Sequence, residues 1–274
     1  MDIRLIAFDL DGTLLRSDKS ISPRTVRALQ AASQKGVLLV PATGRLYRSI
    51  PQALQDSPLM RYMILCNGAQ ILDRKTETVL AREEMTPELA LQTLAALRQM
   101  NVIRGVYVED LGRMTHSDYA EIEALAYSPA GAATMKHTYR PIDDLDAFTA
   151  KSTSVQKVIA FFREQADKQP AIAKLTAQFP ACAVSTSIIN NVEINAKNAT
   201  KGNALVQLCS ILGLFPSQCM VFGDDTNDCS MLREAGLGVA MGNASPEAMA
   251  CADVVTETND KDGVAQMIER TLAL

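Results

Sequence analysis

Two carboxylates one residue apart, Asp9 and Asp11, follow the short apolar run "RLIAF" and lead at once into Gly12 and Thr13. Like charges so placed repel unless a cation stands between them. A single Asp after a strand is an ordinary turn residue; a pair in the largely apolar stretch from Ile3 to Leu15 suggests a site. Other apolar runs end in the same way. Thr43, Gly44 and Arg45 follow "VLLVPA", and Asn67 and Gly68 follow "YMILC". Gly223, Asp224 and Asp225 follow "QCMVF", with Asn227 and Asp228 just beyond. Asp9, Asp11 and Asp224 brought together would need a cation. All-oxygen ligation with no His or Cys nearby points to a hard ion, and Mg2+ suits few carboxylates, water and a substrate phosphate. The Thr43 hydroxyl, backbone amides and the Lys201 ammonium are the donors that phosphoryl oxygens require. The set suits phosphoryl transfer.

The elements that must position these groups alternate. "RLIAF", "VLLVPA" and "YMILCN" read as strands separated by helices, the first of which has Ser22 as its N-cap and Pro23 at its first position. The rhythm returns near the other end: helix "KGNALVQLCSILG", strand "QCMVFGDD", helix "NDCSMLREAG", strand "LGVAM", helix "SPEAMACA", strand "DVVT" and helix "GVAQMIERTLAL". Such alternation implies a parallel sheet with crossover connections. In that architecture ligands bind beyond the carboxyl ends of the strands, where the polar groups fall. The middle reads differently, with neighbouring strands "VIRGVYVED" and "GRMTHS", a strand "VQKVIAFF", a helix over 164–179 and a strand "ACAVSTS". The expected fold is α/β: a Rossmann-like parallel-sheet core over 1–82 and 190–274, with an inserted α+β domain over 83–189.

Composition narrows the class. The 274 residues suffice for one large domain or two modest ones. A net charge of −4 with no basic block argues against a nucleic-acid partner. No apolar run approaches the roughly 20 residues that span a bilayer. The acidic Asp2 and Asp9 argue against a secretory leader. Six cysteines without a C-x-x-C pair read as buried free thiols of a reducing cytoplasm. His116 and His137 stand far apart, with no ligand-like neighbours.

The motifs carry a family resemblance. "DLDGTLL", "TGR", Lys201 in "ATKG" and "GDDTND" resemble the four motifs of the haloacid dehalogenase-like hydrolases. "NGA" at Asn67 and "KDGVAQMI" near the end resemble the Cof-type phosphatases with a large α/β cap. The resemblance runs the whole length, the cap matching by size and position rather than by motif. It implies a Mg2+-dependent phosphoric monoester hydrolase of small cytosolic phosphomonoesters, such as sugar phosphates, FMN or pyridoxal phosphate. Asp9 would be the nucleophile that becomes an aspartyl phosphate, and Asp11 the general acid and then base. Asp9 and Asp224 would hold Mg2+ through side chains and Asp11 through its carbonyl. Thr43 and Lys201 would hold phosphate oxygens with Leu10, Gly44 and Asn227. Asp228, Asn67 and Arg45 would support them, Asp228 by orienting the metal's waters. The cap would close over the leaving group and exclude water. Two departures stand out: "NAKNAT" before Lys201, and Pro41, which removes a backbone donor.

Plainer readings compete for single residues. Lys201 is also explained as a solvated helix-start lysine, Arg45 as a structural ion pair, and Asp225 as the cap of the helix at Asn227. Cys66 and Cys229 read as buried behind the site. Two residues apart on a strand, Asp9 and Asp11 would share a side, and Thr13 would hydrogen-bond locally. Arg104, Tyr107, Glu109, His116 and Tyr119 are the polar candidates in the insert. Other functions on the same residues are a phosphomutase or phosphotransferase, and a non-catalytic regulatory binder. A monomer and a homodimer both fit.

Overall fold

A computed structural model of the chain describes residues 2–126 and 128–274. It divides into two compact units, one of Met1–Gly44, Gln52–Arg82 and Thr200–Leu274, the other of Arg45–Pro51 and Glu83–Ala199.

The first unit is built on a parallel sheet. Its order is Val254–Val255, Leu237–Ala240, Cys219–Gly223, Leu5–Phe8 and Leu38–Pro41. Leu5–Phe8 is buried at every position, as expected of an inner strand covered on both faces. Pro41 lies on an edge strand, where its missing N–H breaks no ladder. The Ser22 hydroxyl caps helix Pro23–Gln34 by accepting from Thr25 N–H at 3.0 Å. Helix Lys201–Leu212 is capped by Thr200 and stopped by Gly213 in the left-handed region. Leu5, Ala7, Val40, Val221, Leu205 and Leu208 pack into one apolar cluster.

Two details differ from the sequence reading. Tyr62–Leu65 is not a full member of the parallel sheet. It pairs with the edge strand through the single Ala42–Ile64 bridge among the described residues, and forms an antiparallel sheet with Gln70–Asp73 and Thr78–Arg82. The helix expected before it shrinks to Gln52–Gln55. The cause is local: Pro58 keeps Ser57 out of helical geometry and so cuts the run short.

The second unit holds a mixed six-stranded sheet in the order Cys182–Ser185, Asn191–Ala196, Lys157–Phe162, Val102–Val108, Leu111–Thr115, Tyr139–Ile142. Leu94, Leu145 and Leu175, from helices Pro87–Leu97, Leu145–Lys151 and Lys168–Gln178, cluster with Val106, Val158, Phe162 and Ile194. The expected return to the core at residue 190 comes one strand too early. Asn191–Ala196 pairs with Lys157–Phe162, so this unit continues to Ala199. Asn191, Glu193 and Asn195 of that strand are all buried inside the insert. Among the described residues no helix is long and apolar enough to cross a membrane.

Candidate active site

Strand Leu5–Phe8 ends before Asp9, and a turn begins. Gly12 takes φ +82°, a conformation open to glycine, and a Cβ there would overlap the Asp224 carboxylate. The turn therefore presses against the end of strand Cys219–Gly223. Thr13 Oγ1 donates to Asp224 Oδ1 at 2.7 Å, a bond across 211 residues rather than the local one expected. Asn243 Nδ2 donates to Gly12 O at 2.8 Å, and Ser245 N–H to Asp224 O at 2.8 Å. Asn243 was missed by the sequence reading. It follows the strand "LGVAM", so the strand-end rule applied to the other motifs would have found it.

Lys201 is the pivot. It is fully buried at the first position of its helix, where a cation is unfavourable. Its Nζ donates to Asp9 Oδ1 and to Asp228 Oδ1, both at 2.6 Å. Burial alone would lower its pKa; Asp228 and Asp9 outweigh burial and hold it above the ordinary lysine value. The other oxygen of Asp228 accepts from Asp224 N–H at 2.9 Å and Asp225 N–H at 3.1 Å. Asp225 caps the short turn Thr226–Asp228 through Thr226 N–H at 2.7 Å, the capping role read from sequence.

Among the described residues, Asp9, Asp224 and Asp228 each offer a carboxylate oxygen within 4.8 Å of the others. Burial pushes Asp9 up to about 7 against the opposing charge of Lys201, with Asp228 and Asp11 adding to the rise. Burial pushes Asp224 up to about 8, helped by the charges of Asp9 and Asp228. With all three ionised, the carboxylates against one ammonium leave two negative charges, which a divalent cation would match. The donors are all oxygen, so a hard ion such as Mg2+ fits the set.

Asp11 stands differently from expectation. It lies in the turn, not on the strand, so the alternation that would align it with Asp9 does not operate there. Its Oδ1 accepts from Lys19 Nζ at 2.8 Å, and its side chain is outside the three-carboxylate group. Its charge still reaches Asp9. The Leu10 side chain is fully buried and its carbonyl accepts from Leu15 N–H at 2.8 Å, leaving the main-chain N–H as its contribution to a site.

Thr43 is buried, and its N–H donates to Ile64 O at 2.9 Å, so its hydroxyl rather than its own amide is what it offers. Gly44 follows it at the end of the first segment of this unit. Thr43 O accepts from Asn67 N–H at 3.0 Å. Asn67 holds φ +62°, and its side-chain oxygen accepts from Asn227 Nδ2 at 3.2 Å, which ties two sequence-predicted residues together. Arg45 belongs to the Arg45–Pro51 segment of the second unit, where its Nη1 donates to Ser49 O at 2.5 Å. Cys66 is buried as read; Cys229 is half-buried, with its Sγ 3.5 Å from Glu247 O.

Within the insert, Arg104 Nη1 turns to Leu94 O at 3.2 Å, and His116 is exposed at 3.5 Å from Asp143. The sequence reading missed a buried pair, Lys157 Nζ to Glu193 Oε1 at 2.8 Å, with Lys157 4.7 Å above the Tyr107 ring. Neither residue follows a turn or motif, so no local signal marks them.

A parallel-sheet fold with acidic groups at its strand ends and a buried lysine beside them suits phosphoryl-transfer chemistry. Residues 6–268 match the haloacid dehalogenase-like hydrolase family model, and the chain belongs to that family, in its Cof-type branch. It is 30% identical over 268 residues to a pyridoxal phosphate phosphatase of Escherichia coli, with 98% of each chain covered. It is 29% identical over 269 residues to a 5-amino-6-(5-phospho-D-ribitylamino)uracil phosphatase of Bacillus subtilis, covering 98% of this chain and 95% of that one. A haloacid dehalogenase-like hydrolase of B. subtilis superposes with a TM-score of 0.85 at 27% identity, over 97% of this chain and 99% of that one. The protein is a phosphatase, a phosphoric monoester hydrolase.

Proposed function

We propose that the enzyme is a Mg2+-dependent phosphatase of small phosphomonoesters that works through an aspartyl phosphate on Asp9. The observation that carries this reading is the buried cluster of Asp9, Asp224 and Asp228 around Lys201. Asp9 and Asp224 would hold the ion through their carboxylates and Asp11 through its carbonyl, with Asp228 keeping Asp224 in place through its backbone N–H. When bound, Mg2+ neutralises charge on the phosphoryl oxygens and on the carboxylates beside them.

Asp9 attacks phosphorus. An approaching phosphate dianion competes for Lys201, whose ammonium then shifts its bonding from Asp9 to a phosphoryl oxygen and frees the nucleophile. The Thr43 hydroxyl and the Leu10 and Gly44 amides take further oxygens, with Asn227 steadied by Asn67. Asp11, released from Lys19 and carrying a proton, gives it to the departing alkoxide, and then takes a proton from the water that opens the acyl phosphate, which restores its protonated form. Two carboxylates are needed because one must attack while the other moves protons. The insert acts as the cap that selects the leaving group. The substrates of the relatives, pyridoxal phosphate and a phosphoribitylamino pyrimidine, make phosphorylated ring compounds the first class to test. The reading places the protein in the cytoplasm.

A panel of phosphomonoesters, ranked by kcat/KM in Mg2+, tests the reading. Turnover that survives both EDTA and Asp9→Asn overturns it. Transfer of phosphate to an added alcohol in preference to water would make the enzyme a phosphotransferase instead.

A further inference from the structure

The inserted unit carries cations that the reaction above does not use. Arg113 and Arg140 are register partners on the neighbouring parallel strands Leu111–Thr115 and Tyr139–Ile142, so their side chains leave one face of the sheet side by side. Like charges in neighbouring cross-strand positions destabilise a sheet. Among the described residues neither arginine enters an ion pair. The Arg113 guanidinium lies over the Phe148 ring at 5.3 Å, and its Nε is buried with no hydrogen-bond partner. Arg140 Nη1 donates only to carbonyls, those of Lys136, His137 and Tyr139 at 3.2, 2.9 and 3.0 Å. Its remaining N–H groups have no protein acceptor among the described residues.

A third guanidinium joins them. Arg48 Nε lies 3.6 Å from Asp110 Oδ2, and its side chain is 43% exposed. Its segment is pinned to the same part of the unit by Tyr47 N–H donating to Asp110 Oδ1 at 2.8 Å and by the Ser49 and Thr138 hydroxyls at 2.9 Å. Burial, then Arg140 and Arg48, depress the pKa of Arg113, and the carboxylate of Glu109 opposes them without prevailing. The charges acting on Arg113 thus favour an added anion.

We propose that Arg48, Arg113 and Arg140 form a phosphate-binding site made wholly of residues of the inserted unit. Guanidinium forks bind oxyanions two bonds at a time. Two adjacent forks and a third nearby offer more donors than the two oxygens of a carboxylate accept. A tetrahedral phosphate, free or carried on an ester, has the oxygens to take them, and Arg113 and Arg140 stop repelling once it sits between them.

The test is titration calorimetry of the full chain with inorganic phosphate in EDTA, with glycerol 3-phosphate added to Asp9→Asn as the ester arm. Arg113→Gln and Arg140→Gln should each weaken a phosphate site on the order of tenfold, with kcat/KM for p-nitrophenyl phosphate unchanged. Arg113→Lys should fall between, because an ammonium lacks the fork. Phosphate should raise the thermal midpoint of the wild type more than that of either Gln variant, which also checks that the variants fold. Tighter binding of the ester than of inorganic phosphate names a phosphorylated metabolite as the ligand; the reverse names free phosphate. Phosphate affinity and midpoint shifts identical in wild type and both Gln variants overturn the proposal, since phosphate then binds only at the Asp9 centre.

Discussion

Lys201 and its two carboxylates show how single residues set the chemistry. Asp9→Asn keeps the shape but removes the attacking oxygen's charge, and should leave no measurable hydrolysis of p-nitrophenyl phosphate. The carboxylates also fix a pH signature. Asp9 rises from 3.8 to about 7 and Asp224 to about 8 on folding, both first through burial. As pH climbs past 3.8 the unfolded chain gives up these protons while the folded chain keeps them, so folding without metal weakens until about pH 8 and is level beyond. Denaturant midpoints in EDTA should fall across that window, and saturating Mg2+ should flatten the decline. Calorimetry near pH 7 in buffers of different ionisation enthalpy should register proton release on Mg2+ binding. Thr13 orients Asp224 from 2.7 Å. Thr13→Ala should weaken Mg2+ binding by about 10- to 100-fold, and Thr13→Ser should restore most of it.

At the scale of elements, the turn after the first strand is the most exacting piece. Gly12→Ala must force φ +82° on a residue with a side chain and push against Asp224. The expected cost is about 1–3 kcal/mol of stability and about 100-fold in turnover, the scale of a small misplacement at a reacting centre. Chemical denaturation and initial rates measure the two separately. The sequence made the parallel core and the strand-end residues legible, because buried strands and their caps leave local signatures. Thr43, Asn67, Lys201, Asp224, Asn227 and Asp228 fall in the unit that holds Asp9, and Asn67 bonds Asn227 directly. It did not reveal that Asp11 leaves the strand, since only the real end at Phe8 decides where alternation stops. Nor did it reveal the hairpin that takes Tyr62–Leu65 out of the parallel ladder, because an apolar run reads alike in either setting. Thr13 reaches Asp224 for a reason that only tertiary contacts supply, whereas Arg45 turns to Ser49 O, four residues on in its own segment.

At the scale of the whole molecule, each unit has its own apolar cluster. Calorimetric unfolding should therefore resolve two transitions, and ligands should address them separately. Mg2+ at 100 times its Kd should raise only the one belonging to the parallel-sheet unit, by about 2.7 kcal/mol. Glu193→Gln should lower only the other, by about 3–5 kcal/mol, because it leaves Lys157 buried without its counter-charge. One coupled transition, moved equally by both changes, would refute the division. The order of the parallel strands has a further consequence for how the chain is made. Leu5–Phe8 lies between Leu38–Pro41 and Cys219–Gly223, so one side of that strand stays unpaired while the 210 residues from 9 to 218 are translated. A nascent polypeptide stalled before Cys219 presents that bare edge to any other extended segment. Ribosome-bound intermediates of this length should depend on chaperones, and that dependence should end abruptly when the later strand emerges from the exit tunnel.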